Sequence, residues 1–269
     1  MENNNDTSAP QLSVPSSEGV SEKFSLDDST VHVWYCSPEQ IKETGLVGYY
    51  YTLLSNEERV RHGRFFFERD RHTFLVGKAL MRITLSRYAG LRPSDWVFKA
   101  SAHGRPEVKL SHGMLQTNIN LSHTNGMVAC VVGIDRELGI DIEDTRREVD
   151  AIELAQRFFS SSETTALRRL RGDALRRAFF SYWTLKESYI KARGMGLSIP
   201  LDHFAFEIGL DTKFRIAFGP EHPGNSADWQ FVQFAPTPHH LLSVCVHRPG
   251  RPDLALVVHE GVPGPPATD

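Results

Sequence analysis

The sequence predicts an α+β protein built from two successive modules, each combining helices with mostly antiparallel strands. Two observations support this prediction. Apolar residues recur at helical spacing in some segments and form short strand-like runs in others, and the succession of helices and strands occurs twice along the chain. The 269 residues are enough for one large domain or two closely packed halves.

The first module begins with a predicted strand at 31–36, which is apolar and aromatic. Ser55 and Glu58 form a capping box that would start a helix. Residues 70–88 carry apolar side chains at helical spacing and predict a long packed helix. The other strands predicted in this module are 96–100, 106–110, 118–123 and 127–133.

The second module begins with a strand at 139–143, in which Ile140 and Ile142 would anchor one face in a core. The predicted helices that follow are 150–159, 160–170 and 174–194, and the predicted strands are 203–208, 214–218, 229–234 and 241–247. The halves would therefore span residues 26–138 and 139–248.

Both ends of the chain lack hydrophobic periodicity. Residues 1–25 are rich in Asn, Ser, Glu and Pro, and residues 249–269 are rich in Pro and Gly. Segments of this composition bury too little apolar surface to order themselves. We expect a disordered N-terminal tail and a flexible C-terminal tail.

Composition limits the setting and the partners. The net charge of -3 gives no indication of nucleic-acid binding, and no apolar run approaches the ~18 residues of a membrane span. The three cysteines are far apart, without zinc-site spacing, which favours reduced thiols and the cytoplasm. Two complementary halves in one chain favour a monomer.

Charged side chains on two predicted elements could meet at one site. Asp141 and Glu143 alternate with isoleucines and so project to the same side of their strand, while Glu187 and Lys191 lie one turn apart on a helix. Carboxylate oxygens suit Mg²⁺, and a lysine supplies a point charge for phosphates. Taken alone, an acid and a base four apart on a helix are usually a solvated pair contributing ~0.3–0.5 kcal/mol.

Five short motifs occur in a familiar order and spacing. They are GRP at 104–106, NLSH at 120–123, GIDIE at 139–143, RFF at 157–159 and WTLKES at 183–188. Together they resemble the surfactin-type 4'-phosphopantetheinyl transferases over roughly residues 55–208. The resemblance implies a pseudo-dimeric fold and transfer of the 4'-phosphopantetheine group of coenzyme A (CoA) to a serine of apo acyl or peptidyl carrier proteins, with release of adenosine 3',5'-bisphosphate.

The resemblance also implies roles for individual residues. Asp141, Glu143 and Glu187 match the family's Mg²⁺ ligands, and the residues matched to catalysis are Glu187, Lys191 and Glu143. The residues matched to CoA binding are Arg61, Arg105, Ser122, His123, Lys186 and Lys191. Two positions depart from the family pattern, because Glu58 and Thr73 stand where basic residues are common.

Two other functions fit part of the pattern. A metal-dependent nuclease or phosphodiesterase also uses grouped carboxylates and a lysine, but it gives Arg105, Ser122 and His123 no role. The other is a non-catalytic module that binds CoA or a carrier protein, which would be excluded if Glu187→Ala abolished turnover while CoA binding persisted.

Overall fold

The computed structural model describes residues 24–100, 106–108, 117–195, 198–209 and 213–262. Its α-helices are α1 (Thr44–Thr52), α2 (Asn56–Gly63), α3 (Glu68–Tyr88), α4 (Ala151–Phe158), α5 (Ser161–Arg168) and α6 (Gly172–Arg193). Its strands are β1 (Thr30–Cys36), β2 (Phe98–Ala100), β3 (Pro106–Val108), β4 (Thr117–Thr124), β5 (Met127–Ile134), β6 (Leu138–Asp144), β7 (Phe204–Ile208), β8 (Phe214–Phe218), β9 (Trp229–Thr237), β10 (His240–His247) and β11 (Ala255–Glu260).

The same strand order is found in both halves. In the first half the strands are ordered β1-β5-β4, and in the second half they are ordered β6-β10-β9, with antiparallel pairing throughout. Each half also places a long helix and a two-stranded hairpin between its first strand and its last two. The predicted α+β fold of two similar halves with mostly antiparallel strands is confirmed.

The two main sheets face each other across a shared apolar layer. Alternate side chains of β1, β5, β6 and β10 fill this layer, among them Val33, Val131, Ile142 and Val244. The other face of the first sheet packs on α3, and the other face of the second sheet packs on α6. Because strand side chains alternate between faces, the residues of β6 that flank its isoleucines face α6.

The predicted flexible C-terminal tail is wrong for residues 255–260. This segment forms β11, which pairs in parallel with β1. Leu256 and Val258 enter the apolar layer between the sheets, and the ring of His259 stacks on Trp34 at 4.0 Å. The strand is short and is preceded by Pro and Gly, so its sequence pattern is weak, and its burial comes from tertiary contacts.

The predicted N-terminal tail, residues 1–25, lies outside the described residues up to position 23. Phe24 belongs to the fold, since its backbone N–H donates to the Arg87 carbonyl oxygen and its ring packs on Trp34 and Tyr88. In the part of the chain that the structure describes, every helix is too short or too polar to cross a bilayer.

Gly139 allows β6 and α6 to approach at backbone distance. A Cβ atom at this position would fall inside van der Waals contact with the Ser188 carbonyl oxygen and the Ala192 backbone nitrogen. Both of those atoms belong to backbone in the middle of a buried helix turn, so neither can move aside independently. The absence of a side chain at Gly139 therefore sets the spacing between strand and helix.

We expect Gly139→Ala to lower the free energy of unfolding by about 3 kcal/mol or more, because a methyl group must be forced between two backbones. Urea denaturation followed by circular dichroism measures the loss. The matched control is Gly48→Ala in α1, where an added Cβ meets nothing within 4 Å, and where we expect a gain of about 0.5–1 kcal/mol. Equal stabilities for the two variants would contradict the close approach.

Candidate active site

Strand β6 and helix α6 bring the predicted acidic and basic residues together. The Lys191 Nζ atom lies 2.6 Å from the Asp141 Oδ1 atom. Glu187 lies one turn before Lys191, and the charges of Asp141, Lys191 and Glu143 all act on its pKa. The two i, i+4 residues of the helix therefore face the two alternating carboxylates of the strand, as the sequence predicted. We call Asp141, Glu143, Glu187 and Lys191 the carboxylate cluster.

Strand β4 joins this cluster through side chains and not through a backbone ladder. Asn120, Ser122 and Thr124 share one face of β4, and their side-chain oxygens accept hydrogen bonds from the backbone N–H groups of Ile140, Ile142 and Asp144 at 3.0, 3.3 and 3.1 Å. We call this contact the β4–β6 seam. It is where the two halves of the protein meet beside the cluster.

The Ser122 hydroxyl is fully committed to the seam and the cluster. It donates to Asp141 Oδ1 at 3.0 Å and accepts from Lys191 Nζ at 2.9 Å and from the Ile142 N–H. A hydroxyl has one donor and two acceptor sites, so these three bonds use all of them. Thr124 plays a similar part, because its hydroxyl donates to Glu143 Oε2 at 3.4 Å.

Two carboxylates of the cluster, Glu143 and Glu187, have a raised pKa. Burial, and after it the charge of Asp141, raises the pKa of Glu187 to about 7 against the opposing effect of Lys191. Burial and Asp141 also raise the pKa of Glu143, while Arg147 opposes the shift. Removal of carboxylates from water and their mutual repulsion both favour the protonated form. The cluster is thus short of positive charge.

The donor chemistry of the cluster fits a hard divalent cation. The Asp141 Oδ2 atom is buried and accepts no hydrogen bond from the described residues, and carboxylate oxygens are the ligands that Mg²⁺ prefers. Lys191 is bonded to Asp141, however, and no three His, Cys, Asp or Glu side chains in the described ranges surround a single point at which a metal ion could bind. The ligand types therefore fit Mg²⁺, whereas the positions of the side chains do not form a complete metal site.

A cleft lined by both cations and carboxylates adjoins the cluster. A cavity of about 820 Å³ is lined by Glu143, Asp70 and Asp144 together with Arg69, Arg146 and Arg147. A second cavity, of about 650 Å³, contains Arg61 and Lys78 beside Glu57 and Glu58, and Phe74 lines both cavities. The Arg61 guanidinium lies 5.4 Å from the centre of the Phe74 ring.

His123 lies in the first cavity and extends from β4 on the face opposite Ser122. Desolvation, followed by the positive charges of Lys191 and Arg61, lowers the pKa of its imidazole. The same charges that disfavour the imidazolium would favour a bound anion beside it. Lys191 and Arg61 therefore lie near His123, whereas Ser122 lies on the opposite face of β4 and bonds to Lys191 there.

Lys186 does not reach this cleft. Its side chain is fully buried, and its ammonium bonds to Glu163 at 2.8 Å and to the carbonyl oxygens of Leu201 and Phe204 at 2.7 Å each. The expectation that Lys186 binds CoA is therefore withdrawn. Lys186 and Glu187 are neighbours on α6, so their side chains point to different sides of the helix. The resemblance rests on a sequence motif that contains both residues, and a motif does not show which side of the helix each one faces.

Three further positions from the sequence have different outcomes. Arg105 lies outside the described residues. Glu58 bonds to Lys78 at 3.2 Å and to Arg82 at 2.6 Å, so two nearby cations neutralise the acidic residue at this position. Thr73 lines the first cavity and bonds to the backbone oxygen of Arg69, and Arg69 itself supplies a cation there.

Comparison with known families accounts for both halves. Residues 137–245 match the model of the 4'-phosphopantetheinyl transferase superfamily, and residues 42–134 match the N-terminal model of a 4'-phosphopantetheinyl transferase. The chain belongs to the 4'-phosphopantetheinyl transferase superfamily. The family assignment made from the motifs is confirmed.

Individual relatives of this transferase match over most of their length. The 4'-phosphopantetheinyl transferase HetI of Nostoc sp. is 31% identical over 83% of this chain and 90% of its own. The 4'-phosphopantetheinyl transferase Sfp of Bacillus subtilis is 31% identical over 78% of this chain and 89% of its own. One solved structure that matches is a holo-(acyl-carrier-protein) synthase of Bacillus anthracis in complex with CoA (3',5'-ADP). The match spans 41% of this chain and 94% of that one, with 18% identity and a TM-score of 0.35.

Sequence reasoning missed several residues of the transferase's cleft. Thr124 and Arg147 both contact Glu143, the latter at 3.4 Å, and Arg146 lines the first cavity. One signal was available, since Asn120, Ser122 and Thr124 alternate along β4 as a polar face of a strand. The arginines had no such signal, because they resemble ordinary solvated residues.

We expect Lys186→Met to lower the free energy of unfolding by about 3–5 kcal/mol, because it leaves the buried Glu163 carboxylate unpaired. Adding Glu163→Gln removes that charge and should restore part of the loss. Urea denaturation measures both effects. Folded Lys186→Met should keep the KM of the parent protein for CoA. An increase in that KM would indicate that Lys186 does take part in CoA binding.

Proposed function

We propose that this protein transfers the 4'-phosphopantetheine group of CoA to a serine of an apo acyl or peptidyl carrier protein, in a Mg²⁺-dependent reaction that releases adenosine 3',5'-bisphosphate. The observation that carries the proposal is the convergence of Asp141, Glu143, Glu187 and Lys191 beside a cavity that several arginines line. Family membership supports the reaction type, and the convergence supports where on this chain it takes place.

Asp141, Glu143 and Glu187 would hold the cation. Mg²⁺, when bound, neutralises negative charge on the diphosphate of CoA and on the departing bisphosphate. The unpartnered buried Oδ2 atom of Asp141 supports this assignment. So does the raised pKa of Glu143 and Glu187, since repulsion among the carboxylates is what a divalent cation would relieve.

The chain's own cations would hold the CoA phosphates. Lys191 would exchange part of its bonding from Ser122 and Asp141 to the diphosphate, and Ser122 and His123 would contact phosphate oxygens from the end of β4. Arg61, stacked on Phe74 between the two cavities, would bind further along the cleft. Arg105 is assigned to the adenosine end by the resemblance alone.

The transfer itself exchanges one phosphorus–oxygen bond for another. The carrier serine oxygen bonds to the phosphorus that bears the pantetheine arm, and the bond from that phosphorus to the bridging diphosphate oxygen breaks. Adenosine 3',5'-bisphosphate leaves with the bridging oxygen. The serine proton passes directly or through one water to a base, for which Glu187 and Glu143 are the candidates, because a base needs a pKa near the working pH and access to the proton.

The setting of this reaction is also a proposal. We infer a cytoplasmic monomer with halves at 26–138 and 139–248, the first of which β11 joins from the end of the chain. Its reaction requires neither nucleic acid nor membrane. The three cysteines, each free and buried, suit a reducing compartment.

The direct test is the intact mass of an apo acyl carrier protein after incubation with this protein, CoA and Mg²⁺, with EDTA as the control. We expect a gain of one phosphopantetheine that EDTA abolishes. No gain with acyl and peptidyl carriers alike would refute the transfer, and cleavage of added nucleic acid would then support a metal-dependent nuclease.

We expect Asp141→Ala to reduce turnover at least about 100-fold, since it removes a cation ligand, while the circular dichroism spectrum stays that of the parent protein. The matched control is Asp173→Ala, which removes an exposed carboxylate near the start of the same α6 helix and should leave turnover unchanged. Loss of secondary structure in Asp141→Ala would show a structural role for this carboxylate instead.

A further inference from the structure

Two hairpin turns, one from each half of the protein, meet beside the cleft. Asn125 and Gly126 form the two-residue turn between β4 and β5, with Gly126 at a φ of 78°. His240 is the first residue of β10 and directly follows the turn after β9. The His240 Nε2 atom lies 2.9 Å from the Asn125 backbone oxygen. This contact joins positions 115 residues apart in the chain.

The orientation of the His240 ring follows from its partners. A backbone carbonyl oxygen only accepts hydrogen bonds, so Nε2 must carry the hydrogen and donate it. The Nδ1 atom on the other side lies 2.7 Å from the Thr237 hydroxyl, which holds the plane of the ring. His240 is buried. It therefore acts as a fixed donor aimed at the turn of the other half.

The Asn125 side chain fixes the same turn on two more sides. Its Oδ1 atom accepts from Arg69 Nη1 at 3.0 Å, and its Nδ2 atom donates to Asp144 Oδ2 at 3.2 Å. Asp144 is buried and is held in turn by Arg146 through two bonds of 2.9 and 2.8 Å. We call His240, Asn125, Asp144 and Arg69 the turn clasp. It ties the β4–β5 turn to α3, β6 and β10.

The clasp lies at the end of a seam that lacks any backbone ladder. In the β4–β6 seam, the positions of Ser122 and Thr124 along β6 are set by single side-chain bonds to Ile142 and Asp144. The same hydroxyls bond to Asp141 and Glu143. A small slide of β4 would thus break the seam and displace both carboxylates together.

We propose that His240 and Asn125 are positioning residues, which fix β4 relative to β6 so that Ser122 and Thr124 stay in register with the carboxylate cluster. The kinetic part of this proposal rests on the proposed transfer reaction. Its structural part concerns only the seam, and it can be tested separately.

The test compares His240→Leu with His240→Gln. Leucine removes the donor, whereas the glutamine side chain ends in an N–H₂ group that can reach the same carbonyl oxygen. Amide hydrogen exchange by NMR reports on the seam directly. We expect the Ile142 and Asp144 amides to exchange at least about tenfold faster in His240→Leu, and to return to within about threefold of the parent rate in His240→Gln. His239→Leu, at the exposed neighbouring position, is the matched control and should change neither amide.

The kinetic arm uses CoA, Mg²⁺ and an apo acyl carrier protein. We expect kcat to fall about tenfold or more in His240→Leu, with the KM for the carrier protein unchanged and with recovery in His240→Gln. Unchanged exchange at Ile142 and Asp144 would overturn the clasp. Faster exchange with an unchanged kcat would overturn the positioning role. If the parent protein transfers nothing, the proposed function fails, and the exchange data alone decide whether the clasp holds the seam.

Discussion

The contact between β6 and α6 at Gly139 is the constraint on which the site depends. Backbone meets backbone there, since even a Cβ atom would collide with the helix. On the strand, Asp141 follows two residues later, and on the helix Glu187 and Lys191 flank the same turn. The ion pair between Lys191 and Asp141, at 2.6 Å, spans this contact. The packing distance therefore helps to determine how closely the ammonium group and the carboxylates approach.

The second determinant is the way the halves join. β6 pairs with β10 on one side through backbone hydrogen bonds, whereas on its other side three of its backbone N–H groups donate to side-chain oxygens of β4. Buried backbone N–H groups must find acceptors. The polar side chains of β4 are thus required for folding at this junction, and their hydroxyls then lie within reach of the carboxylates of β6.

The sequence predicted those parts of the site that depend on local periodicity. Alternation along β6 put Asp141 and Glu143 on one face, and the four-residue spacing on α6 put Glu187 beside Lys191. The sequence did not show that Lys186 points away from this group. Lys186 is buried against Glu163 of α5 and against the segment that follows α6, and these are tertiary contacts. Nor could the sequence predict β11 or His240, because the partners that order them lie more than 100 residues away. Local pattern determines the direction in which a side chain points on its element, whereas tertiary contact determines what it meets.

The chemistry of the cleft and the stability of the junction share the same atoms. The Ser122 hydroxyl satisfies a backbone N–H of β6, a lysine and a carboxylate at once, and so it has no hydrogen-bonding capacity left for another partner. An anion only accepts hydrogen bonds, so one that binds at Ser122 must take the single donor bond that the hydroxyl now makes to Asp141 Oδ1. Lys191 is partly exposed and can turn its ammonium towards the same anion. Both changes would remove a hydrogen bond from Asp141 Oδ1, which would leave both oxygens of that carboxylate available to a cation. Anion binding and cation binding at this junction are thus coupled through the Ser122 hydroxyl and the Lys191 ammonium group.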